Sequence, residues 1–237
     1  MLIVEGYDVK QMLFQNCQFA LYKGLRNIDQ KKVILKVCSS EQPNFADLAS
    51  IQHEYQILKQ LDLPGILQVY DLIKWKNKLI LILEDIDGQS LREYLSNKPL
   101  DLSTFFKIAL QLVEAVGELH LQQIIHKDVN PSNIIINPKT IEIKLTNFGV
   151  STELPQETQD YTSLNFEGTF AYISPEQTGR MNRSIDYRSD FYAMGITFYE
   201  MLTGQLPYKS EDILELVYDH LASIPLAGTG SVEFHAM

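Results

Sequence analysis

The sequence is short of positive charge. Its 237 residues hold 20 Lys and Arg against 30 Asp and Glu, a formal net charge of −10, and the pI is near 5.0. Phosphate-backbone binding needs clustered Lys and Arg, and no basic run is present, so the balance argues against nucleic acid as a partner and against an anionic membrane surface. Cysteine is scarce too. Cys17 and Cys38 have neither CxxC spacing nor a Cys/His cluster, which speaks against a zinc site and a disulfide framework and leaves reduced thiols in the cytoplasm as the expectation. Long apolar runs are missing. LILIL (79–83) and NIIIN (133–137) have strand length, far below a membrane span, and MLIVEGYDVK lacks the basic start and apolar stretch of a signal peptide. No glycine stands between Gly6 and Gly24.

What is present reads as two regions of different texture. FALYKG (19–24) and KKVILKV (31–37), separated by RNIDQ, predict a hairpin. Phe45, Leu48, Ile51, Tyr55, Leu58 and Leu61 recur at helical spacing. Two strands follow, ILQVYDLIK (66–74) and KLILILE (78–84). The remainder is mostly helical: a short helix over 90–95, a longer one over 104–121 capped by Asp101 or Ser103, one over 190–204 closed by Gly204, and a last one near 211–222. Short strands NIIIN and IEIKLT flank a turn at Pro138. A five-strand-like region with one helix thus precedes a helical region, an α+β order rather than alternating βαβ. EDIDGQS (84–90) has the composition of a hinge between them.

HKDVNPSN (126–133) is the most informative stretch. His126, Asp128 and Asn133 match the H-R-D-x-x-x-x-N catalytic loop of protein kinases. Phosphoryl transfer needs one carboxylate to orient the attacking hydroxyl and a carboxamide oxygen five residues on to hold a metal ion. In order along the chain stand VILK (33–36), with Lys36 on a predicted strand, and Glu54 on the next helix. NFG (147–149) lies at the position of D-F-G, and GTFAYISPE (168–176) and SDFYAMG (189–195) follow. Over about residues 6–222 the chain resembles the protein kinase superfamily, Ser/Thr type. More finely, it is similar to the N-terminal Ser/Thr-kinase domain of bacterial hybrid serine/threonine–histidine kinases.

The resemblance implies a two-lobed α+β fold, with residues 1–85 as the smaller lobe, 86–222 as an incomplete larger lobe, and 223–237 as a divergent tail. It implies ATP and Mg²⁺ as cofactors and a protein substrate or signalling partner. Asp128 would orient the hydroxyl. Lys36, held by Glu54, would grip the phosphates. Leu83, Glu84 and Ile86 would border the adenine, and Asn133 and Asn147 would hold the metal. Phe148 is expected in the core, and Thr162, Ser163 and Thr169 are candidate modification sites. Glu176 would lack its usual ion-pair partner, which comes from helices beyond the end of this sequence.

Several positions depart from the family pattern. QMLFQNCQFALYKG stands where kinases have G-x-G-x-x-G, whose glycines let backbone N–H groups approach phosphates. Asn147 replaces the metal-binding Asp, and a neutral carboxamide is a weaker ligand for a hard dication. Asn130 replaces a Lys, Lys127 an Arg, and Ile34 a smaller residue above the adenine. Three readings stay open: a weakened ATP-dependent Ser/Thr kinase, a pseudokinase that binds and regulates, and a fragment without independent function.

Overall fold

The computed structural model describes residues 2–154, 168–181 and 183–225. In chain order the elements are β1 (Tyr7–Gln15), β2 (Phe19–Arg26), β3 (Lys32–Cys38), α1 (Phe45–Lys59), β4 (Val69–Trp75) and β5 (Lys78–Glu84). Then come β6 (Gln89–Ser90), α2 (Leu91–Leu95), α3 (Leu102–Leu121), β7 (Ile124–Ile125), β8 (Ile134–Ile136), β9 (Ile143–Leu145), β10 (Thr152–Glu153), α4 (Arg188–Thr203) and α5 (Ile213–Ala222). The chain divides into two units, one of residues 1–88 with 144–151, the other of residues 89–143 with 152–237.

The first unit is a five-stranded sheet in the order β1-β2-β3-β5-β4, antiparallel throughout. Strand alternation sorts its side chains. Val33, Leu35 and Val37 of β3 and Ile80 and Ile82 of β5 form the core of one face, with Tyr7, Val9, Tyr22, Tyr70, Ile73 and Trp75 packed against it. The intervening residues Ile34, Lys36, Leu81 and Leu83 therefore share the other face, paired Ile34 with Leu83 and Lys36 with Leu81. α1 starts at a capping box: Asn44 Oδ1 accepts from the Asp47 amide and Asp47 Oδ2 from the Asn44 amide, satisfying two donors that a bare helix start would leave unpaired. Its buried residues Ile51, Glu54, Ile57 and Leu58 make one stripe, so Glu54 stands among apolar neighbours.

Residues 144–151 belong to this unit through specific bonds. Leu145 forms a parallel bridge with Ile66, its amide donating to the Gly65 carbonyl and its carbonyl accepting from Leu67. Lys144 Nζ donates to Glu84 at 2.8 Å, and His53 bonds the Ser151 carbonyl at 2.6 Å. Phe148 is fully buried, as expected of a core aromatic.

The second unit is mostly helical. Asp101 caps α3, its carboxylate accepting from the Thr104 amide, which decides between the two caps open from sequence. Phe105, Ile108, Leu112, Val116 and Leu119 form the buried face of α3. α4 ends at Gly204 with φ 71°; a Cβ there would lie 2.9 Å from the Asn97 carbonyl oxygen, so glycine serves both the left-handed backbone and the close approach. Tyr172, buried, hydrogen-bonds Glu200 and Arg92, and Arg92 also pairs with Glu200. Burial, reinforced by the Glu200 charge, pushes the Tyr172 phenol well up. Glu176, expected to lack its ion-pair partner, accepts a hydrogen bond from Ser189 Oγ at 2.6 Å. Thr162 and Ser163 lie outside the described residues. No helix among the described residues is long and apolar enough to cross a membrane.

Candidate functional site

In the first unit, Lys36 leaves the sheet on the face opposite the core and is nearly buried. Its ammonium donates to Glu54 Oε2 at 2.6 Å and to Asn147 Oδ1 at 2.8 Å. The structure therefore brings three of the residues picked from sequence into one cluster. Asn147 has φ 70°, a left-handed conformation that Asn tolerates better than most residues. Glu54 Oε1 has no hydrogen-bond partner among the described residues, so its carboxylate faces the lysine through one oxygen. A buried pair of this kind adds little net stability, but removing one partner leaves an uncompensated charge and costs about 3–5 kcal/mol.

Leu83 is buried at the end of β5, and Glu84 is engaged by Lys144. After it the chain turns sharply, with Asp87 at φ 54° and its amide on Asp85 Oδ1. Lys23 and Lys32 reach Asp87 from β2 and β3. Ile86 lies inside this braced turn.

The β1–β2 turn differs from what a glycine-rich phosphate loop would supply. Asn16 Oδ1 accepts from the amides of Gln18 at 2.9 Å and Phe19 at 2.8 Å. The Asn16 amide donates to the Phe19 carbonyl, and the Ser39 amide to the Gln18 carbonyl. The amides of Asn16, Gln18 and Phe19, where glycines would present donors to a phosphate, are thus engaged by the turn itself.

In the second unit, the loop around Asp128 is built on hydrogen bonds that converge on two carboxylates. Asp190, fully buried at the start of α4, accepts from the backbone amides of His126 at 2.9 Å and Lys127 at 2.8 Å, and bonds His120 Nε2 at 2.9 Å. Lys127 has φ 66°, a conformation that costs a β-carbon-bearing residue about 1–3 kcal/mol and persists only when its surroundings enforce it. Here the enforcement is visible: Asp190 holds its amide, and Gln177 Nε2 donates to its carbonyl at 2.8 Å. The turn aims Asp128, whose own amide donates to His126 Nδ1.

Three donors meet the Asp128 carboxylate. Asn133 Nδ2 donates to Oδ2 at 2.8 Å, and Asn130 Nδ2 and the Thr169 amide donate to Oδ1 at 3.0 and 2.8 Å. Asn130 Nδ2 also reaches Thr169 Oγ1 at 3.3 Å. The departure at 130 thus keeps hydrogen bonds to Asp128 and Thr169 while carrying no positive charge. Gly168, at φ 99° and with a Cβ position only 3.0 Å from the Lys127 carbonyl oxygen, lets the segment approach closely enough for Thr169 to bond Asp128. Among the residues picked from sequence, Asp128 and Asn133 are brought together. Asn130, noted from sequence as a departure, braces this loop, and so do Asp190 and Gln177, which the sequence did not single out. Their signal lay in the motifs SDFYAMG and SPEQ, whose polar members have no reason to be buried except to hold a loop.

A carboxylate held by two carboxamides and a threonine amide, with a buried Lys–Glu pair on a strand–helix unit, matches the parts list of phosphoryl transfer. Sequence comparison agrees. The model of the protein kinase domain family matches residues 19–234. The chain belongs to the protein kinase domain family. Among similar curated proteins, the serine/threonine-protein kinase PrkC of Bacillus subtilis is 32% identical over 193 residues, covering 81% of this chain and 29% of PrkC. The serine/threonine-protein kinase pkn3 of Myxococcus xanthus is 28% identical over 237 residues, covering 94% of this chain and 42% of the relative. The serine/threonine-protein kinase PkaA of Streptomyces coelicolor is 32% identical, covering 81% and 36%. The kinase domain thus spans less than half the length of each of these relatives. Protein kinase domains typically use ATP with a divalent metal. Among the described residues no group of three or more His, Cys, Asp and Glu could hold a metal by itself.

Proposed function

We propose that this domain is a slow ATP-dependent Ser/Thr protein kinase, transferring the γ-phosphate of ATP to a protein hydroxyl. The observation that carries the reading is the Asp128 carboxylate, oriented by Asn133, Asn130 and Thr169. A general base must be positioned before it can act, and three donors fix this carboxylate. Asp128 takes the proton of the attacking hydroxyl. Lys36, fixed by Glu54, holds the phosphates. Leu83 and the backbone at Glu84 and Ile86 border the adenine. The Gly168–Thr169 pair supports Ser or Thr as the acceptor.

The slowness has a local cause. When bound, a magnesium ion neutralises charge that develops on the phosphates. The side chains offered to it are the carboxamides of Asn133 and Asn147, and Asn147 Oδ1 already accepts the Lys36 ammonium. Neutral oxygens suit a hard dication less well than carboxylates. That same bond favours a second reading, a pseudokinase in which the Lys36–Glu54–Asn147 cluster serves only to hold the fold.

The test is phosphate incorporation from labelled ATP into a mixed protein substrate, for the wild type and Asp128→Asn. Incorporation by the wild type should fall by about 10²–10⁴-fold in the variant, with the melting temperature nearly kept. No incorporation by the wild type, together with a melting temperature raised by ATP, would establish the pseudokinase reading instead.

A further inference from the structure

The Lys36 ammonium has a third neighbour. The ring centroid of Phe19 lies 4.5 Å from its Nζ. Strand register explains the contact: Leu21 pairs with Lys36 and Phe19 with Cys38, so Phe19 is the diagonal neighbour of Lys36 on the same face. Phe19 is held at its backbone and against its ring. Asn16 Oδ1 holds the Phe19 amide, and the ring of Phe14 packs against it at 5.9 Å. An ammonium has three donors. Two are committed to Glu54 and Asn147, and an aromatic face attracts the cation by its quadrupole. Lys36 retains only 7% of its side-chain exposure.

Resting on the kinase reading above, we propose that Phe19 is a specificity-determining residue that closes Lys36 to polyphosphate, with Asn16 as its latch. A triphosphate must displace the ring to reach the ammonium, and must compete with Asn16 Oδ1 for the amides of Gln18 and Phe19. The unopened domain therefore discriminates poorly between adenosine and ATP. Opening the turn converts it into a triphosphate binder.

Amine acylation of the intact chain, read residue by residue by mass spectrometry, tests the closure without requiring turnover. Phe19→Ala and Phe19→Gly should raise Lys36 labelling at least fivefold, Phe19→Leu much less, and Lys144 labelling should stay level as an internal control. In the opened variants, ATP with Mg²⁺ should protect Lys36, and affinity for ATP over adenosine should rise about tenfold. Asn16→Ala, which leaves the ring in place but frees the turn, should move labelling in the same direction; it decides the matter if the Phe19 variants do not unfold cooperatively. Equal Lys36 labelling in the wild type and the opened variants overturns the closure. Raised labelling without protection by ATP upholds the closure and sinks the ATP reading instead.

Discussion

Around Asp128, carboxamides and a backbone amide point at the carboxylate that would perform chemistry. At the β1–β2 turn the direction is reversed: the Asn16 carboxamide takes the amides that a ligand would need. Both regions are polar and well bonded, so neither has decayed into disorder. What separates them is whether satisfied hydrogen bonds present a reactive group or enclose one. Departures from the kinase pattern gather at the β1–β2 turn and at Asn147, while the loop around Asp128 keeps its bracing even where a residue has changed, as at Asn130. Retained motifs alone are a poor measure of activity; the direction of the bonds around them is a better one.

The comparison breaks most severely at Asp190. Asp190→Ala would leave the amides of His126 and Lys127 and the ring of His120 without their shared acceptor. An equilibrium urea titration should show a loss of about 3–5 kcal/mol, the cost of opening a buried charged network. A loss under about 1 kcal/mol would mean the catalytic loop holds its shape unaided. The comparison sharpens at Asn147. Asn147→Asp supplies the missing charge, and phosphate incorporation should rise by about 10²–10³-fold, the usual worth of one charge-stabilising group. An unchanged rate would place the bottleneck at the β1–β2 turn rather than at the metal.

The smallest effect concerns pH. His220 on α5 is buried beside Tyr192 and Tyr208, with Nδ1 on the Tyr192 hydroxyl at 2.9 Å. Burial pulls its pKa below the ordinary 6.5, against the opposing pull of the Phe170 carbonyl and Asp219. Below pH 6.5 the unfolded chain takes up a proton that the folded domain refuses. The contribution is therefore complete above pH 6.5 and is lost as pH falls from there toward the folded value. Melting temperatures measured from pH 7.5 to 5 should decline in the wild type, and that part of the decline should vanish in His220→Phe.

Much of this was legible in the residues. Helical spacing placed α1 and α3 to within a few positions, because their buried faces repeat at three and four residues, and Gly204 marked the end of α4. β1 was not delimited. Met12, Leu13 and Phe14 are all exposed, so the strand carries no inside–outside alternation to read. The contacts of Asp128 with Asn133 and of Lys36 with Glu54 were legible from the motifs that carry these residues. The enclosure of Lys36 by Phe19 was not. It follows from strand register, and a one-residue slip would have turned the ring to the other face. The left-handed Lys127 was equally hidden, because the carboxylate that enforces it belongs to a helix far along the chain.

That distance has a consequence for how the protein is made. The amide of His126 finds its acceptor 64 residues later. A ribosome releases the loop well before α4, and until α4 emerges the two amides lack the carboxylate of Asp190. The loop around Asp128 therefore gains its Asp190 bracing only in the event that docks α4.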